Sequence, residues 1–236
     1  MMRILTAAAL LPALFLMHYI YRLDRIEKEP LGLLIRLAGA GALSCFPAAF
    51  AESSLISLAS NHIDVNSELY SFVTAFLIVA VCEEGVKFFA LKLFTWNNDE
   101  FNCNFDGIVY AVFVSLGFAA LENVMYVQQY GLSVAVSRAI LSVPGHMTFS
   151  IFMGHYYSKA KKSMLLGRQG EAGHYLRVSY IIAVLLHGFY DYCLMSTYEN
   201  LYYVFFVFVV ILDILSIRKV KEEAANDGPF AAWPVY

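Results

Sequence analysis

The sequence contains few charged residues for its length. Asp, Glu, Lys and Arg make up 15% of its 236 residues, whereas about a quarter of an average soluble domain is charged. The hydrophobic fraction is 60% and the mean hydropathy is +0.61. Intrinsic disorder is excluded, because it requires low hydrophobicity and high net charge. The composition therefore predicts an integral membrane protein, which has the lipid bilayer as a partner.

A basic excess and a cysteine motif are also missing. The chain has 16 Lys and Arg against 19 Asp and Glu, with a net charge of −3, so no nucleic-acid partner is predicted. Its four cysteines form no C-x-x-C pair, which argues against a disulfide framework and a zinc knuckle. We interpret them as small apolar packing residues.

Long apolar runs are abundant instead. Roughly 20 apolar residues are needed to cross a bilayer core, and seven runs of about this length predict an all-α, polytopic membrane helix bundle. The stretch 131–142 is moderately apolar and predicts a short interfacial helix, although eight membrane segments remain an alternative. The seven predicted spans are 4–21, 31–51, 70–95, 105–127, 143–160, 177–196 and 200–217.

The distribution of Lys and Arg among the loops predicts the orientation. Twelve of them fall in alternate loops and the C-terminal segment, on one side of the membrane, and two, Arg3 and Arg138, fall on the other. Because basic loops stay in the cytoplasm, we expect the N-terminus outside and the C-terminus inside. We expect residues 1–217 to form one transmembrane domain and residues 218–236 a cytoplasmic tail, loose from Gly228 onwards.

Several polar residues interrupt the predicted spans. Ionisable groups inside a membrane are costly and usually functional. In the predicted topology they lie at the midplane or in the outer half of the membrane, which is the placement that a shared intramembrane site requires. The set is Glu83, Glu84, Lys87, Glu122, Asn123, His146, His187 and Asp191.

Spacing within single helices predicts some of their contacts. Lys87 follows Glu83 by four residues and Glu84 by three, so it can reach either carboxylate. Successive residues diverge by about 100° around a helix, so one glutamate can face a central cavity while the other pairs between helices. His187 and Asp191 are four residues apart and can hydrogen-bond directly, which would fix the imidazole proton.

This set of groups can activate water. A buried glutamate can act as a general base, and histidine or asparagine N–H groups can stabilise an oxyanion. Alternatively, a glutamate and two histidines can hold zinc, in which case Glu84, His146 and His187 are the candidate ligands. No H-E-x-x-H motif is present, so we expect no cofactor and favour the glutamate mechanism. Ser150 lies one turn from His146, which is weak evidence for a serine nucleophile.

Four motifs follow one another along the chain. They are Glu83-Glu84-x-x-Lys87, Phe105–Tyr110 running to Gly117–Asn123, Pro144-Gly145-His146, and His187-Gly188-x-Tyr190-Asp191. On these motifs the chain resembles the PrsW-type intramembrane proteases, which are related to the CAAX prenyl endopeptidases. Asp24-Arg25, Glu27 and Glu29-Pro30 also resemble the N-terminal signature of that family.

The resemblance implies a multi-pass peptidase of the bacterial cytoplasmic (inner) membrane. Its substrate would be a single-span membrane protein such as an anti-sigma factor, cut at site 1, on the extracytoplasmic side. It assigns catalysis to Glu83, Glu84, His146 and His187, with Asn123 and Asp191 in support; burial and spacing add Lys87 and Glu122 to the supporting set.

Two other functions remain open at this point. A remote relative is a non-catalytic scaffold subunit, and buried acid–histidine chains also serve proton-coupled transporters. The complete set of glutamates and histidines favours the enzyme, because a scaffold tolerates the loss of such groups. A transporter would more often contain broken helices in inverted repeats, and none is visible in the sequence.

Overall fold

The chain folds into a bundle of helices. The computed structural model describes the backbone of residues 2–230 and the side chains of residues 6–131 and 133–230. The third helix contains a π-helical segment, Val73–Val79, between two α-helical parts. The helices are α1 (Met2–Leu23), α2 (Leu31–Ser60), α3 (Glu68–Thr95), α4 (Asp106–Tyr130), α5 (Leu132–Ile140), α6 (Ser142–Leu165), α7 (Gln169–Met195) and α8 (Asn200–Ala225).

The predicted all-α membrane bundle is confirmed. Seven of the described helices are long, and six of them are long and apolar enough to cross a membrane. The stretch 131–142 forms α5, whose 9 residues are too few to span a bilayer. Three predicted boundaries were wrong: α2 continues to Ser60 rather than residue 51, α7 begins at Gln169 rather than residue 177, and α8 continues to Ala225 rather than residue 217. A helix can extend past its apolar run, because a change in polarity does not end it in the absence of a cap or a breaker. The orientation stays a prediction.

Helix α4 is the centre of the bundle and packs against α1, α2 and α6. Glycines allow two of these close crossings. A Cβ atom on Gly117 would lie 2.0 Å from the Ala38 carbonyl oxygen of α2, and one on Gly154 of α6 would lie 2.4 Å from the Gly107 carbonyl oxygen. Small residues at such crossings let helix backbones approach closely.

Helix α6 was predicted to span the membrane at 143–160, but its composition is different from that of the others. It is the one long described helix that does not reach the apolarity expected of a membrane span. It packs against α4, α5, α7 and α8, and most of its residues are buried. Because the protein itself surrounds this helix, its polar side chains meet other helices rather than lipid.

The N-terminal signature residues lie at the end of the bundle where α2 and α4 begin. Burial raises the pKa of the Glu29 carboxyl from 4.5 to about 7 and that of Asp24 from 3.8 to about 6. The Tyr110 hydroxyl donates to Glu29 Oε2 over 2.5 Å, and the Asp24 carboxylate accepts from the Glu29 backbone N–H at 3.3 Å. These residues therefore anchor the loop between α1 and α2.

The expectation of a loose segment from Gly228 onwards was wrong for its first part. The backbone N–H of Phe230 donates to the Asn102 carbonyl at 2.8 Å, and the Phe230 ring packs against Phe101 with the centroids 5.5 Å apart. Asp227 accepts from the backbone N–H of Phe105 at 2.9 Å. The remainder of the predicted tail, 231–236, lies outside the described residues, as does the side chain of Arg3.

Candidate active site

Lys87 is the centre of a buried polar cluster. Its Nζ atom lies 2.9 Å from Glu83 Oε2, 2.8 Å from Glu84 Oε1 and 3.1 Å from His146 Nδ1, and the residue is 1% exposed. The ammonium group also lies 4.1 Å from the centroid of the Phe118 ring. A lysine ammonium has three N–H donors and no acceptor, so these three contacts use all of its hydrogens.

The two adjacent glutamates point in different directions, as the helical spacing predicts. Glu83 lines the cavity described below, whereas Glu84 is completely buried and its Oε1 atom lies 2.8 Å from His187 Nδ1 of α7. The second carboxylate oxygen of Glu84 is buried and has no hydrogen-bond partner among the described residues. Of these two glutamates, Glu83 is therefore the one that faces the cavity.

The two histidines have different partners. His146 Nδ1 faces a donor, the Lys87 ammonium, so its proton belongs on Nε2, which lies 3.1 Å from Glu122 Oε2. His187 faces two carboxylates, with Nδ1 next to Glu84 and Nε2 3.3 Å from Asp191 Oδ2. The predicted contact between His187 and Asp191 is thus present. The two imidazole rings are nearly perpendicular, with centroids 5.4 Å apart.

Arg138 is a site residue that the sequence reasoning missed. It belongs to α5, and its Nη2 atom lies 2.6 Å from Glu122 Oε2, the same oxygen that contacts His146. Its guanidinium lies 4.0 Å from the centroid of the Tyr126 ring. The count of Lys and Arg in the loops placed this arginine on the outer side of the membrane, and only its position within the predicted interfacial helix 131–142 could have indicated another role.

Asn123 and Ser150 make their hydrogen bonds outside the cluster around Lys87. The Asn123 amide donates to the Ala9 carbonyl at 2.7 Å and accepts from Arg138 Nε at 3.1 Å. Asn123 therefore joins α1 and α5 to α4. The Ser150 hydroxyl donates to the Met147 carbonyl of its own helix at 2.8 Å, which gives no support to a serine nucleophile.

A partly open cavity of about 660 Å³ adjoins this cluster. It is lined by five of the predicted site residues, Glu83, Glu122, His146, His187 and Asp191. Its wall also contains Glu52, Thr74 and Arg138, none of which was a predicted site residue. Glu52 was missed because it is the first charge after the apolar run of α2, and the predicted span ended just before it.

The donor atoms of the cluster fit a metal ion by type and spacing. One ligand atom from each of Glu83, Glu84, His146 and His187 lies within 4.8 Å of the others. Zinc takes this mixture of imidazole and carboxylate ligands, with bonds of about 2.0–2.2 Å. The free oxygen of Glu84 adds a further potential ligand. Lys87 already contacts three of these four residues, so a metal ion would share the cluster with a fixed positive charge.

Comparisons with known proteins assign the chain to a family. Residues 29–214 match the family described as "PrsW family intramembrane metalloprotease". The chain belongs to the PrsW family of intramembrane proteases.

Curated relatives cover nearly the whole chain. "Protease PrsW" of Geobacillus kaustophilus is 37% identical over 98% of this chain and 97% of its own length. "Protease PrsW" of Oceanobacillus iheyensis is 34% identical over 92% and 95%, and "Protease PrsW" of Bacillus subtilis is 33% identical over 84% and 86%. No solved structure matches the chain. Family membership and the membrane helices together support a multi-pass membrane protein with a protease role.

Proposed function

We propose that the protein is an endopeptidase that hydrolyses a peptide bond of a single-span membrane protein inside the cavity next to Glu83. The observation that carries the proposal is the convergence of Glu83, His146 and His187 on one cavity wall, with Lys87 behind them. An anti-sigma factor, cut on the extracytoplasmic side of the cytoplasmic membrane, is the substrate class that the family resemblance implies.

In this mechanism Glu83 is the general base. As the water oxygen attacks the carbonyl carbon of the scissile bond, the Glu83 carboxylate takes one proton from that water. The electron pair of the carbonyl double bond moves to its oxygen. When the C–N bond breaks, Glu83 returns the proton to the leaving nitrogen, and the products are a carboxylic acid and an amine.

The histidines stabilise the oxyanion. The Nε2–H of His146 is held by Glu122, and the imidazole of His187 is held between Glu84 and Asp191. Both residues line the cavity, but their ring nitrogens are all engaged, those of His146 by Lys87 and Glu122 and those of His187 by Glu84 and Asp191. The substrate carbonyl oxygen therefore has to replace Glu122 or Asp191 as the acceptor of a histidine N–H, and that hydrogen bond stabilises the negative charge that develops on the oxygen.

Lys87 pairs with two neighbouring carboxylates and thereby lowers the free-energy cost of burying their charges. Like charges on adjacent buried carboxylates repel each other, and a buried carboxylate is costly unless it is paired. The Lys87 ammonium bonds to both glutamates and thereby supports the negative charge that a general base needs. Its contact with His146 also fixes the tautomer that donates from Nε2.

A metal-dependent version of the same hydrolysis is the second candidate, favoured by the close spacing of four donor atoms. Glu83, Glu84, His146 and His187 would hold the ion. A zinc ion at such a position supplies Lewis acidity and lowers the pKa of a bound water. The substrate cavity is the same in both versions, whereas His146 would have to give up its contact with Lys87 or Glu122 to offer a ring nitrogen to the ion.

Cleavage by the purified protein tests the proposal. The protein in detergent is mixed with a panel of tagged single-span substrates, and the products are identified by mass spectrometry. We expect the wild type to cut at least one substrate, and Glu83→Gln, Glu84→Gln, His146→Ala and His187→Ala to abolish cleavage while the proteins remain folded. Glu199→Gln, at an exposed position, is the matched control. Full cleavage by all four variants would overturn the assignment of the site.

A further inference from the structure

Two polar side chains of the cavity wall that the proposed hydrolysis does not use have a buried oxygen without a partner among the described residues. Glu52 of α2 and Thr74 of α3 both line the cavity. Glu52 Oε1 and Thr74 Oγ1 are buried, and neither atom has a hydrogen-bond partner among the described residues. Two unpaired polar atoms in the wall of one cavity indicate a place where a ligand supplies the missing partners.

The state of Thr74 is unusual for a hydroxyl residue in a helix. Such hydroxyls usually donate to a carbonyl one turn earlier, and this chain provides examples. Ser54 donates to the Phe50 carbonyl at 2.8 Å, and Thr95 donates to the Leu91 carbonyl at 2.7 Å. Thr74 makes no such bond although it is only 7% exposed. It lies in the π-helical segment of α3, and such segments occur frequently at functional sites.

Glu52 is the unpaired carboxylate of the cavity. The other three acidic residues of the wall each have a basic partner: Glu83 contacts Lys87, Glu122 contacts Arg138, and Asp191 contacts His187. Among the described residues Glu52 has no ion-pair partner. A carboxylate in such surroundings is stabilised strongly by an arriving cation, because low dielectric strengthens the attraction.

Both residues lie between Glu83 and one end of the bundle. Residues 61–67 connect α2 to α3, and Glu52 and Thr74 lie close to this connection along their helices. Thr74 precedes Glu83 by a helical rise of about 13 Å. An extended peptide covers that distance with about four residues.

We propose that Glu52 and Thr74 form a specificity subsite for a lysine or arginine side chain of the substrate, about four residues from the scissile bond on the side of the α2–α3 loop. The carboxylate binds the cationic group, and Thr74 Oγ1 accepts a second N–H from it. The subsite rests on the proposed proteolysis and adds to it the substrate feature that is recognised.

The test uses single-span substrates that differ at one position. Lysine, leucine or glutamate is placed at each of the positions two to six residues from the mapped cut, and kcat/KM is measured for each substrate. We expect the wild-type kcat/KM to be about tenfold or more higher for the lysine substrate than for the leucine substrate near the fourth position. The reason is that a hydrogen bond to a charged group is stronger than one between neutral groups. Glu52→Gln should bring this ratio close to one, whereas the exposed control Glu199→Gln should keep it.

The role of the Thr74 hydroxyl is tested by comparing two substitutions at this position. Thr74→Val removes the hydroxyl at nearly constant shape and should reduce the preference for lysine, whereas Thr74→Ser should retain it. Glu52→Lys should shift the preference toward the glutamate substrate. Thermal unfolding of each variant checks whether the helix bundle is intact. We expect melting temperatures close to that of wild type, because Glu52 Oε1 and Thr74 Oγ1 have no hydrogen-bond partner among the described residues.

The outcomes separate this subsite from the protease function. If wild type cuts the lysine, leucine and glutamate substrates equally at every position, or if Glu52→Gln keeps the preference, the subsite is wrong and the protease function stands. A uniform loss of cleavage for all substrates in Glu52→Gln also contradicts recognition of a basic side chain. If wild type cuts no substrate, the protease function fails and the subsite fails with it.

Discussion

Lys87 of α3 donates to Nδ1 of His146 of α6 across 3.1 Å. A lysine on one helix thereby decides which nitrogen of a histidine on another helix carries the proton. The same ammonium donates to Glu83 and Glu84. One buried cation thus forms hydrogen bonds with three of the four proposed catalytic residues.

Replacement of this lysine is the first prediction. Lys87→Met should lower the free energy of unfolding by about 3–5 kcal/mol, because it leaves two buried carboxylates without their cation. It should also abolish cleavage. Unfolding in mixed micelles measures the loss of stability. Lys221→Met, at an exposed position, should stay within about 0.5 kcal/mol of wild type, and an equally small effect at Lys87 would contradict the role described.

The pair of Arg138 and Glu122 should be energetically coupled. A double-mutant cycle with Arg138→Gln and Glu122→Gln should give a coupling free energy of about 1–3 kcal/mol, because the pair is largely buried and its N–O distance is short. The exposed pair of Arg168 and Glu171, 3.7 Å apart, is the matched control. Its coupling should lie below about 1 kcal/mol, and a similar value for both pairs would refute the prediction.

The α1–α2 loop should make stability depend on pH. Burial raises the pKa of Glu29 from 4.5 to about 7, so the folded state binds its proton more tightly than the unfolded chain does. The stabilisation is fully present below pH 4.5 and is lost as the pH rises to about 7. We therefore expect the melting temperature to fall between pH 4.5 and about 7, and Glu29→Gln to reduce that fall. If Glu29→Gln leaves the dependence of melting temperature on pH unchanged, Glu29 is not the source of that dependence.

Removal of metal should leave cleavage largely intact. Lys87 already places a positive charge next to Glu83, Glu84 and His146, and a divalent cation in the same cluster would be repelled by it. Cleavage is measured after dialysis against phenanthroline, with the zinc content of the protein determined in parallel. Loss of cleavage that added zinc restores would instead establish the metal-dependent version.

The contact between α4 and α6 should not tolerate a methyl group. The Cβ atom of Gly154→Ala would lie 2.4 Å from the Gly107 carbonyl oxygen, and such overpacking costs about 1–3 kcal/mol. Gly39→Ala of α2 is the control, because nothing lies within 4 Å of the added atom. Thermal unfolding should separate the two variants, and equal melting temperatures would contradict the tight crossing.

Contacts within single helices could be predicted from the sequence. The helical repeat alone places Lys87 next to Glu83 and Glu84, and His187 next to Asp191. The apolar runs similarly predicted the long helices, since a membrane span requires about 20 apolar residues. These features follow from local geometry and from solvation.

Contacts between helices could not be predicted in this way. Arg138 looked like a loop charge because its role depends on how α5 folds back onto Glu122 of α4. The second span was predicted to end at residue 51, because the charge of Glu52 interrupts the apolar run. In the structure α2 continues to Ser60, so Glu52 lies within the helix. Asn123 was expected to support catalysis, on the family resemblance, yet its amide joins α1 and α5 to α4, because successive residues on a helix face different neighbours.

The polar character of α6 also affects how the chain enters the membrane. A segment that carries His146, Ser150 and His155 on a helix too polar to count as a span is a poor candidate for insertion by itself. We expect it to leave the translocon only together with α7, against which it packs extensively. Chains truncated before α7 should therefore fail to integrate α6, and the two histidines of the proposed site should reach the bilayer as one hairpin late in synthesis.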